Sequence, residues 1–175
     1  MVIIRASVMR RLGIRAIVFG NTDKSDFLLV PPVLAIVYAV LANAFKLPML
    51  NVLIQPFWLS SAPGWAGLAF CVISVIGIGL TLASFGNSFR VGIDENNPAK
   101  LITGGMFAIS RNPIYVCFLL FLCGLLIIHR NIIVAVMAVI FAWAIHRQII
   151  REEKFLADHY GEEYGAYKKK VRRYL

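Results

Sequence analysis

The sequence predicts an all-α integral membrane protein of about four transmembrane helices, with a helical hairpin and a cytoplasmic C-terminal amphipathic helix. Hydrophobic residues make up 59% of the 175 residues and charged residues only 15%, with a mean hydropathy of +0.76. This composition is too apolar for a soluble domain of this length and suits one membrane domain over residues 1–175. Four charge-free apolar runs, separated by polar segments, are the candidate spans.

The net charge of +9 raises the question of a nucleic-acid partner. The cations are confined to segments that flank the apolar runs, and no signature of an RNA- or DNA-binding fold accompanies them. We therefore expect the lipid bilayer as partner and no nucleic acid. Cys71, Cys117 and Cys123 lie inside apolar runs without metal-ligand or disulfide spacing, so we expect no metal and three small buried hydrophobic side chains.

The first half of the chain predicts an interfacial segment and two membrane helices. Residues 1–24 are rich in arginine like a transit peptide, but they lack a long apolar region and a cleavage site, which favours an interfacial amphipathic helix. Residues 27–45 and 65–85 each carry no charge and are long enough to cross about 30 Å of hydrocarbon. The loop between them contains three prolines and is expected at the outer interface.

The third and fourth predicted helices form a hairpin. They cover residues 112–128 and 131–147, and each apolar run is short for a membrane span. The connection "HRN" at residues 129–131 is too short for anything but a tight turn between two helices. The fourth helix lengthens through His146 and Arg147, whose side chains can reach the membrane surface.

The distribution of Lys and Arg predicts the orientation. The N-terminal segment holds five, the outer loop one, the loop 86–111 three, the hairpin turn one and the tail from Arg147 eight. Cytoplasmic segments carry the excess of cations, so both termini and the loop 86–111 are expected in the cytoplasm. All nine acidic residues fall in these same segments, which places any active site on the cytoplasmic side.

The tail, residues 148–175, has a helical pattern of apolar residues. The members recur every three or four positions: Leu156, Tyr160, Tyr164, Tyr167, Val171 and Tyr174. Gly161 and Gly165 each weaken a helix by about 1 kcal/mol relative to alanine, so we expect a break at one of them. This stripe can dock on the helix bundle or on lipid, and a basic surface anchor is the plainer alternative.

Polar residues gather in the segments assigned to the cytoplasm: Gly86, Asn87, Ser88, Arg90, the turn 103–105, Arg111, Asn112, Glu152 and Glu153. Pro113 suits the first turn of a helix and Asn112 its N-cap, but neither preference explains Arg111 or the adjacent carboxylates. A zwitterionic ligand would suit such a site, with its carboxylate near Arg111 and its ammonium near a glutamate. The alternative is a solvated rim of salt bridges.

These residues carry a family resemblance. The order "GNSFRVGID", "LITGGMFAISRNPIY", a hairpin and "REEKFLADHYGEEYGAY" resembles the isoprenylcysteine carboxyl methyltransferase and phospholipid methyltransferase superfamily of integral membrane enzymes, over about residues 80–170. The family's pattern of Gly, Tyr, Arg-His-Pro and Tyr is matched here by Gly105, Phe107, Arg111, Asn112, Pro113 and Tyr115. Asn112 replaces the usual histidine, so this position can form hydrogen bonds but cannot carry a proton.

The resemblance implies S-adenosylmethionine as methyl donor, enclosed by the last two membrane helices and the C-terminal segment. It places the donor against Gly105, Arg111, Asn112, Tyr115, Glu152 and Glu153, and Arg90 or Tyr164 near a lipophilic methyl acceptor. The acceptor stays open among a prenylcysteine carboxylate, a phospholipid and a thiol, and the available cations favour an anionic or deprotonated group. A non-catalytic membrane adaptor of the same fold is the alternative function.

Overall fold

A computed structural model describes residues 29–48, 64–85 and 101–175. Across these ranges every element is a helix, in the order α1 (Val30–Phe45), α2 (Gly64–Phe85), a 3₁₀ helix (Gly105–Ala108), α3 (Pro113–His129) and α4 (Ile132–Lys170). The predicted all-α class is confirmed. The predicted N-terminal interfacial helix, most of the outer loop, and the segment 86–100 with Gly86, Asn87, Ser88 and Arg90 lie outside the described residues.

The ends of the first three helices follow from local sequence. α1 has proline in its first turn, where a missing N–H costs nothing, and ends at Lys46, which adopts the left-handed conformation. α2 and α3 agree within one residue with the predicted helices 65–85 and 112–128. α3 starts at Pro113, as expected. The carbonyl of Asn112 accepts the N–H groups of Tyr115 and Val116, which confirms Asn112 as the residue that precedes the helix.

α4 differs from the prediction. The fourth helix was expected to end at Arg147, but it continues to Lys170 with one break at Gly161 (φ 50°, ψ −117°). The reason is local, because residues 147–160 contain no glycine or proline that would stop a helix. The break expected at Gly161 or Gly165 is thus at Gly161. Val171 and Tyr174 of the predicted stripe lie beyond the helix end.

The helices have the character of membrane segments. α2 and α4 are long and apolar enough to cross a bilayer. Only 17% and 33% of their most apolar 18-residue stretches are buried, whereas a core helix of a soluble protein would be mostly buried. α1 and α3 are shorter apolar helices. Large apolar side chains such as Leu34, Ile76 and Val139 are exposed, which indicates a lipid surrounding.

The contacts of the chain divide into two compact units. One comprises the described parts of Phe27–Val75 and of Cys117–Arg147, where the Ser74 hydroxyl donates to the Cys117 carbonyl at 2.6 Å. Cys117 is buried there and Cys71 half-buried, but Cys123 is exposed, so the expectation of three buried cysteines is wrong for Cys123. An apolar run has no polar face, and its pattern therefore does not reveal which side faces lipid.

The other unit comprises the described parts of Ile76–Val116 and of Gln148–Leu175. It holds the end of α2, the turn before α3 and the polar end of α4. The stripe of the tail is buried or half-buried at all six positions, whereas Lys168, Lys169 and Lys170 beside it are exposed. Every polar residue predicted for the site that the structure describes belongs to this unit.

Candidate active site

The turn before α3 is attached to the end of α2 through Ser84. The Ser84 hydroxyl donates to the Leu80 carbonyl at 2.8 Å and accepts the N–H of Met106 at 3.1 Å. Gly105 has φ +61°, and a Cβ on it would lie 2.4 Å from Ser84 Oγ. Only glycine fits this close approach in a left-handed conformation. Gly105 therefore sets the path of the turn.

Phe107 fixes the middle of the same turn. Its ring packs edge-on against Phe85 with centroids 4.8 Å apart, and its carbonyl accepts the Tyr167 hydroxyl at 2.7 Å. Burial raises the pKa of Tyr167 to about 12, with smaller contributions from Tyr164 and Glu153 that the Arg111 guanidinium opposes. The tyrosine thus stays protonated and keeps donating, which docks the last turns of α4 on the protein.

Glu153 lies at the centre of an ionic cluster that is buried at Arg111 and one-third exposed at Arg173. Its Oε1 atom lies 3.3 Å from Arg111 Nη2 and accepts Asn112 Nδ2 at 3.2 Å. Its Oε2 atom accepts Arg173 Nε at 3.1 Å and Nη2 at 2.9 Å. The side chains of Arg111 and Glu153 are only 7% and 8% exposed. The Arg111–Glu153 pair is therefore a buried salt bridge and not a solvated one, and its role in binding a ligand stays a prediction.

The segment that follows α4, residues 171–175, holds this cluster through its backbone; we call it the C-terminal clamp. The Arg172 carbonyl accepts the N–H of Arg111 at 3.0 Å. The Arg173 carbonyl accepts the Ser110 hydroxyl at 3.2 Å and Asn112 Nδ2 at 3.1 Å. Three consecutive residues of the turn are thus bound by two consecutive carbonyls, which orients Arg111 and Asn112 together.

Glu152 belongs to a second polar group. Its Oε1 atom accepts the Tyr115 hydroxyl at 2.6 Å and Gln148 Nε2 at 2.9 Å, and Arg151 donates to Gln148 Oε1. Adjacent residues on a helix project about 100° apart, which is why Glu152 and Glu153 face different partners. The two carboxylates are therefore available for different tasks.

Polar atoms without a partner remain in the buried part of the cluster. Among the described residues, Arg111 Nε and Nη1 and the Tyr164 hydroxyl are buried and form no hydrogen bond. Tyr164 is 1% exposed. Burial raises the pKa of its hydroxyl and Glu153 adds to this, whereas the charges of Arg111 and Arg173 and the closeness of the Arg111 guanidinium as a donor lower it. Unsatisfied buried donors are costly, so these atoms have the capacity to bind a further polar group.

The structure brings most of the predicted site residues together. Arg111, Asn112, Glu153 and Tyr164 meet in the ionic cluster, Tyr115 and Glu152 form the group beside it, and Gly105 shapes the turn that carries them. Arg173, Ser110, Ser84 and Gln148 were not predicted. Arg173 is one of five cations within residues 168–173, and nothing in that pattern distinguishes it from its exposed neighbours.

Comparison with known proteins defines the class. The family model described as phospholipid methyltransferase matches residues 57–163, more than half of the chain. Together with the apolar helices, this match defines a methyltransferase with the character of a membrane protein. The chain belongs to the phospholipid methyltransferase family, within the superfamily that includes the isoprenylcysteine methyltransferases, and the resemblance noted in the sequence is confirmed.

Curated relatives carry related names. A probable protein-S-isoprenylcysteine O-methyltransferase of Oryza sativa subsp. indica is 29% identical over 142 residues, which cover 79% of this chain and 72% of the relative. Protein-S-isoprenylcysteine O-methyltransferase B of Arabidopsis thaliana is 27% identical over 141 residues, 79% and 70% of the two chains. The Schizosaccharomyces pombe enzyme is 32% identical over 89 residues, 49% and 38%. No solved structure shows a significant match.

Proposed function

We propose that this protein is a multi-pass membrane methyltransferase that uses S-adenosylmethionine to methylate a lipophilic acceptor at the cytoplasmic face. Family membership supports an enzyme over a non-catalytic adaptor. The observation that carries the donor assignment is the buried Arg111 side chain, whose Nε and Nη1 lack a partner and which lies beside the buried Tyr164 hydroxyl. Buried donors of this kind suit a carboxylate, which S-adenosylmethionine has in its methionine portion.

The two glutamates take separate roles in this proposal. Both oxygens of Glu153 already accept hydrogen bonds, from Asn112 and Arg173, and Arg111 is ion-paired with it as well. Glu153 therefore holds the cations in place. Glu152 binds the ammonium group of the donor in this proposal. The Tyr115 hydroxyl holds the Glu152 carboxylate in position through a hydrogen bond of 2.6 Å. Asn112 serves as a positioning group, since its amide ties Glu153 to the C-terminal clamp.

When bound, S-adenosylmethionine supplies an activated methyl group for an in-line displacement, which needs positioning more than acid–base help. The chain's own residues then orient the donor, exclude water and neutralise charge. A carboxylate acceptor suits a site with these functions, because a carboxylate is already deprotonated and needs no general base. The relatives named as isoprenylcysteine O-methyltransferases support an acceptor of that kind. Arg90 or Tyr164 is proposed near the acceptor, and Tyr164 is buried beside Arg111.

Four membrane spans with both termini in the cytoplasm complete the proposal. The positive-inside distribution of Lys and Arg and the positions of α1 to α4 support this topology. A cysteine introduced near Ser61 should react with an impermeant thiol reagent added from outside the cell. Labelling at this position only after the cytoplasmic side is opened would contradict the orientation.

The donor assignment is tested by ligand stabilisation of purified protein. S-adenosylhomocysteine should raise the thermal midpoint of the wild type in detergent, because a ligand that binds only the folded state stabilises it. Glu152→Gln should weaken calorimetric binding at least about tenfold, as expected for the loss of a charge-assisted hydrogen bond. Lys154→Gln, at an exposed position of the same helix, is the matched control.

The enzymatic assignment is tested with membranes and donor carrying a labelled methyl group. Mass spectrometry should find a methylated lipophilic product, and a prenylcysteine analogue should compete with its formation. A wild type that neither gains stability from S-adenosylhomocysteine nor labels any product would overturn the proposed function. A labelled phospholipid or thiol would instead correct the acceptor class and keep the donor site.

A further inference from the structure

Arg173 differs from the basic residues around it. Its guanidinium binds Glu153 Oε2 through two nitrogens, at 2.9 and 3.1 Å, whereas Lys168, Lys169 and Lys170 are exposed. The hydrogen bond to Glu153 is the main cause that raises the pKa of Arg173. Its backbone carbonyl is bound by Ser110 and Asn112. Arg173 is thus held both at its guanidinium and at its backbone carbonyl, and a surface anchor does not require such fixed contacts.

This contact changes what Arg111 can do. With Glu153 as its single partner, Arg111 would form a neutral pair in which both carboxylate oxygens could engage its guanidinium. Arg173 takes one of those oxygens, so that Arg111 meets Glu153 through Nη2 alone and keeps Nε and Nη1 unpaired. Two guanidinium groups and one carboxylate leave the cluster with one net positive charge, and such a cluster attracts an anionic group.

We propose that Arg173 is a positioning residue of the donor site, which occupies Glu153 Oε2 and thereby reserves Arg111 for the carboxylate of the ligand. The inference rests on the proposed function, since it assumes that the donor binds at Arg111. Arg173 itself does not touch the donor in this arrangement. Its effect is specific for one ligand group, and this separates it from a general contribution to folding.

The test compares two ligands that differ in that group. S-adenosylhomocysteine carries the carboxylate, and its decarboxylated analogue S-adenosyl-3-thiopropylamine lacks it. Calorimetry in detergent should show that Arg173→Ala weakens S-adenosylhomocysteine binding by about tenfold or more, the size expected for a charge-assisted contact, and changes binding of the analogue by less than about threefold. Arg173→Lys should keep most of the preference for S-adenosylhomocysteine over the analogue, because lysine has the same charge. The loss should be small because lysine lacks only the second hydrogen bond.

Two further variants make the test specific. Lys170→Ala removes the same charge at an exposed neighbouring position and should leave both affinities unchanged. Arg173→Ala combined with Glu153→Gln leaves Arg111 as the one charge of the cluster, so S-adenosylhomocysteine binding should recover toward the wild-type value. If Arg173→Ala does not fold, Arg173→Met removes the charge while it keeps most of the side-chain length, and it carries the same expectations.

The outcomes separate the two levels of inference. A wild type that does not bind S-adenosylhomocysteine contradicts the proposed function itself. A wild type that binds it, with Arg173 variants that bind both ligands normally or lose both equally, overturns the role of Arg173 and leaves the proposed function intact. Failure of the double variant to recover, with normal binding of the analogue, would also overturn the charge argument.

Discussion

The backbone of Gly105 lies directly against Ser84, so that a Cβ at residue 105 would come within 2.4 Å of Ser84 Oγ. Gly105→Ala should lower the free energy of unfolding by on the order of 2 kcal/mol, because the left-handed backbone and the close contact both oppose a side chain. Thermal unfolding in detergent would measure the loss. Gly104→Ala is the matched control, since a Cβ there meets nothing within 4 Å. Equal effects of the two changes would contradict the expectation.

The two glycines in the tail should respond to alanine in opposite directions. Gly161 has φ +50° and open space around it, so Gly161→Ala should cost on the order of 2 kcal/mol from backbone strain alone. Gly165 lies in regular helix with no neighbour within 4 Å, so Gly165→Ala should stabilise the protein by up to about 1 kcal/mol. Thermal midpoints of both variants test the pair. A stabilising Gly161→Ala would mean that the break in α4 is not required.

Tyr167 predicts a change of stability in alkali. Its pKa is raised to about 12, so the folded state favours the protonated hydroxyl. This contribution is fully present below the ordinary tyrosine pKa of about 10 and is lost as the pH rises from there toward 12. Tyr167→Phe should cost about 1 kcal/mol at pH 8, where the bond to Phe107 is intact, and less above pH 10. Unfolding midpoints across this range should therefore converge, and a constant difference would contradict the prediction.

Ligand binding should tolerate replacement of Asn112 by a residue whose side chain donates a hydrogen bond. It should not tolerate a residue of similar size whose side chain cannot donate one. Its amide donates to Glu153 Oε1 and to the Arg173 carbonyl. Asn112→Leu should weaken S-adenosylhomocysteine binding by about 1 to 3 kcal/mol, because Glu153 Oε1 and the Arg173 carbonyl each lose one of their two partners and an apolar side chain enters the cluster. Asn112→His retains a donor and should bind close to the wild type. Calorimetry on both variants is the measurement, and unchanged affinity of the Leu variant would remove the role assigned to Asn112.

Hydrophobic runs and helix-breaking residues predicted most of the helix bounds correctly. α2 and α3 agree within a residue with the runs that predicted them, Pro113 starts its helix, and the break falls at Gly161. The continuation of α4 past Arg147 was missed because the change from apolar to polar residues was taken as the end of a helix. A change of solvent does not interrupt backbone hydrogen bonds, and helix breakers are the better guide to helix ends.

The site was predictable in its members more than in their pairing. The resemblance grouped Arg111, Asn112, Glu152 and Glu153 in one site, and the structure adds that the two glutamates face different partners. The partner of Glu153 was not predictable, because Arg173 follows the helix after a run of lysines and only the chain path after Lys170 selects it. Arg90, assigned to the acceptor, lies outside the described residues and stays a prediction.

The position of the C-terminal clamp along the chain also determines when the ionic cluster can be completed during biosynthesis. A ribosome makes the N-terminal part of a chain first, so Arg172 and Arg173 emerge after all the helices that they join. A nascent chain that has reached Lys170 already contains Arg111, Asn112 and Glu153, but it lacks the two carbonyls and the guanidinium that hold them. The ability to bind a ligand is therefore expected to arise late, after the apolar helices have been synthesised.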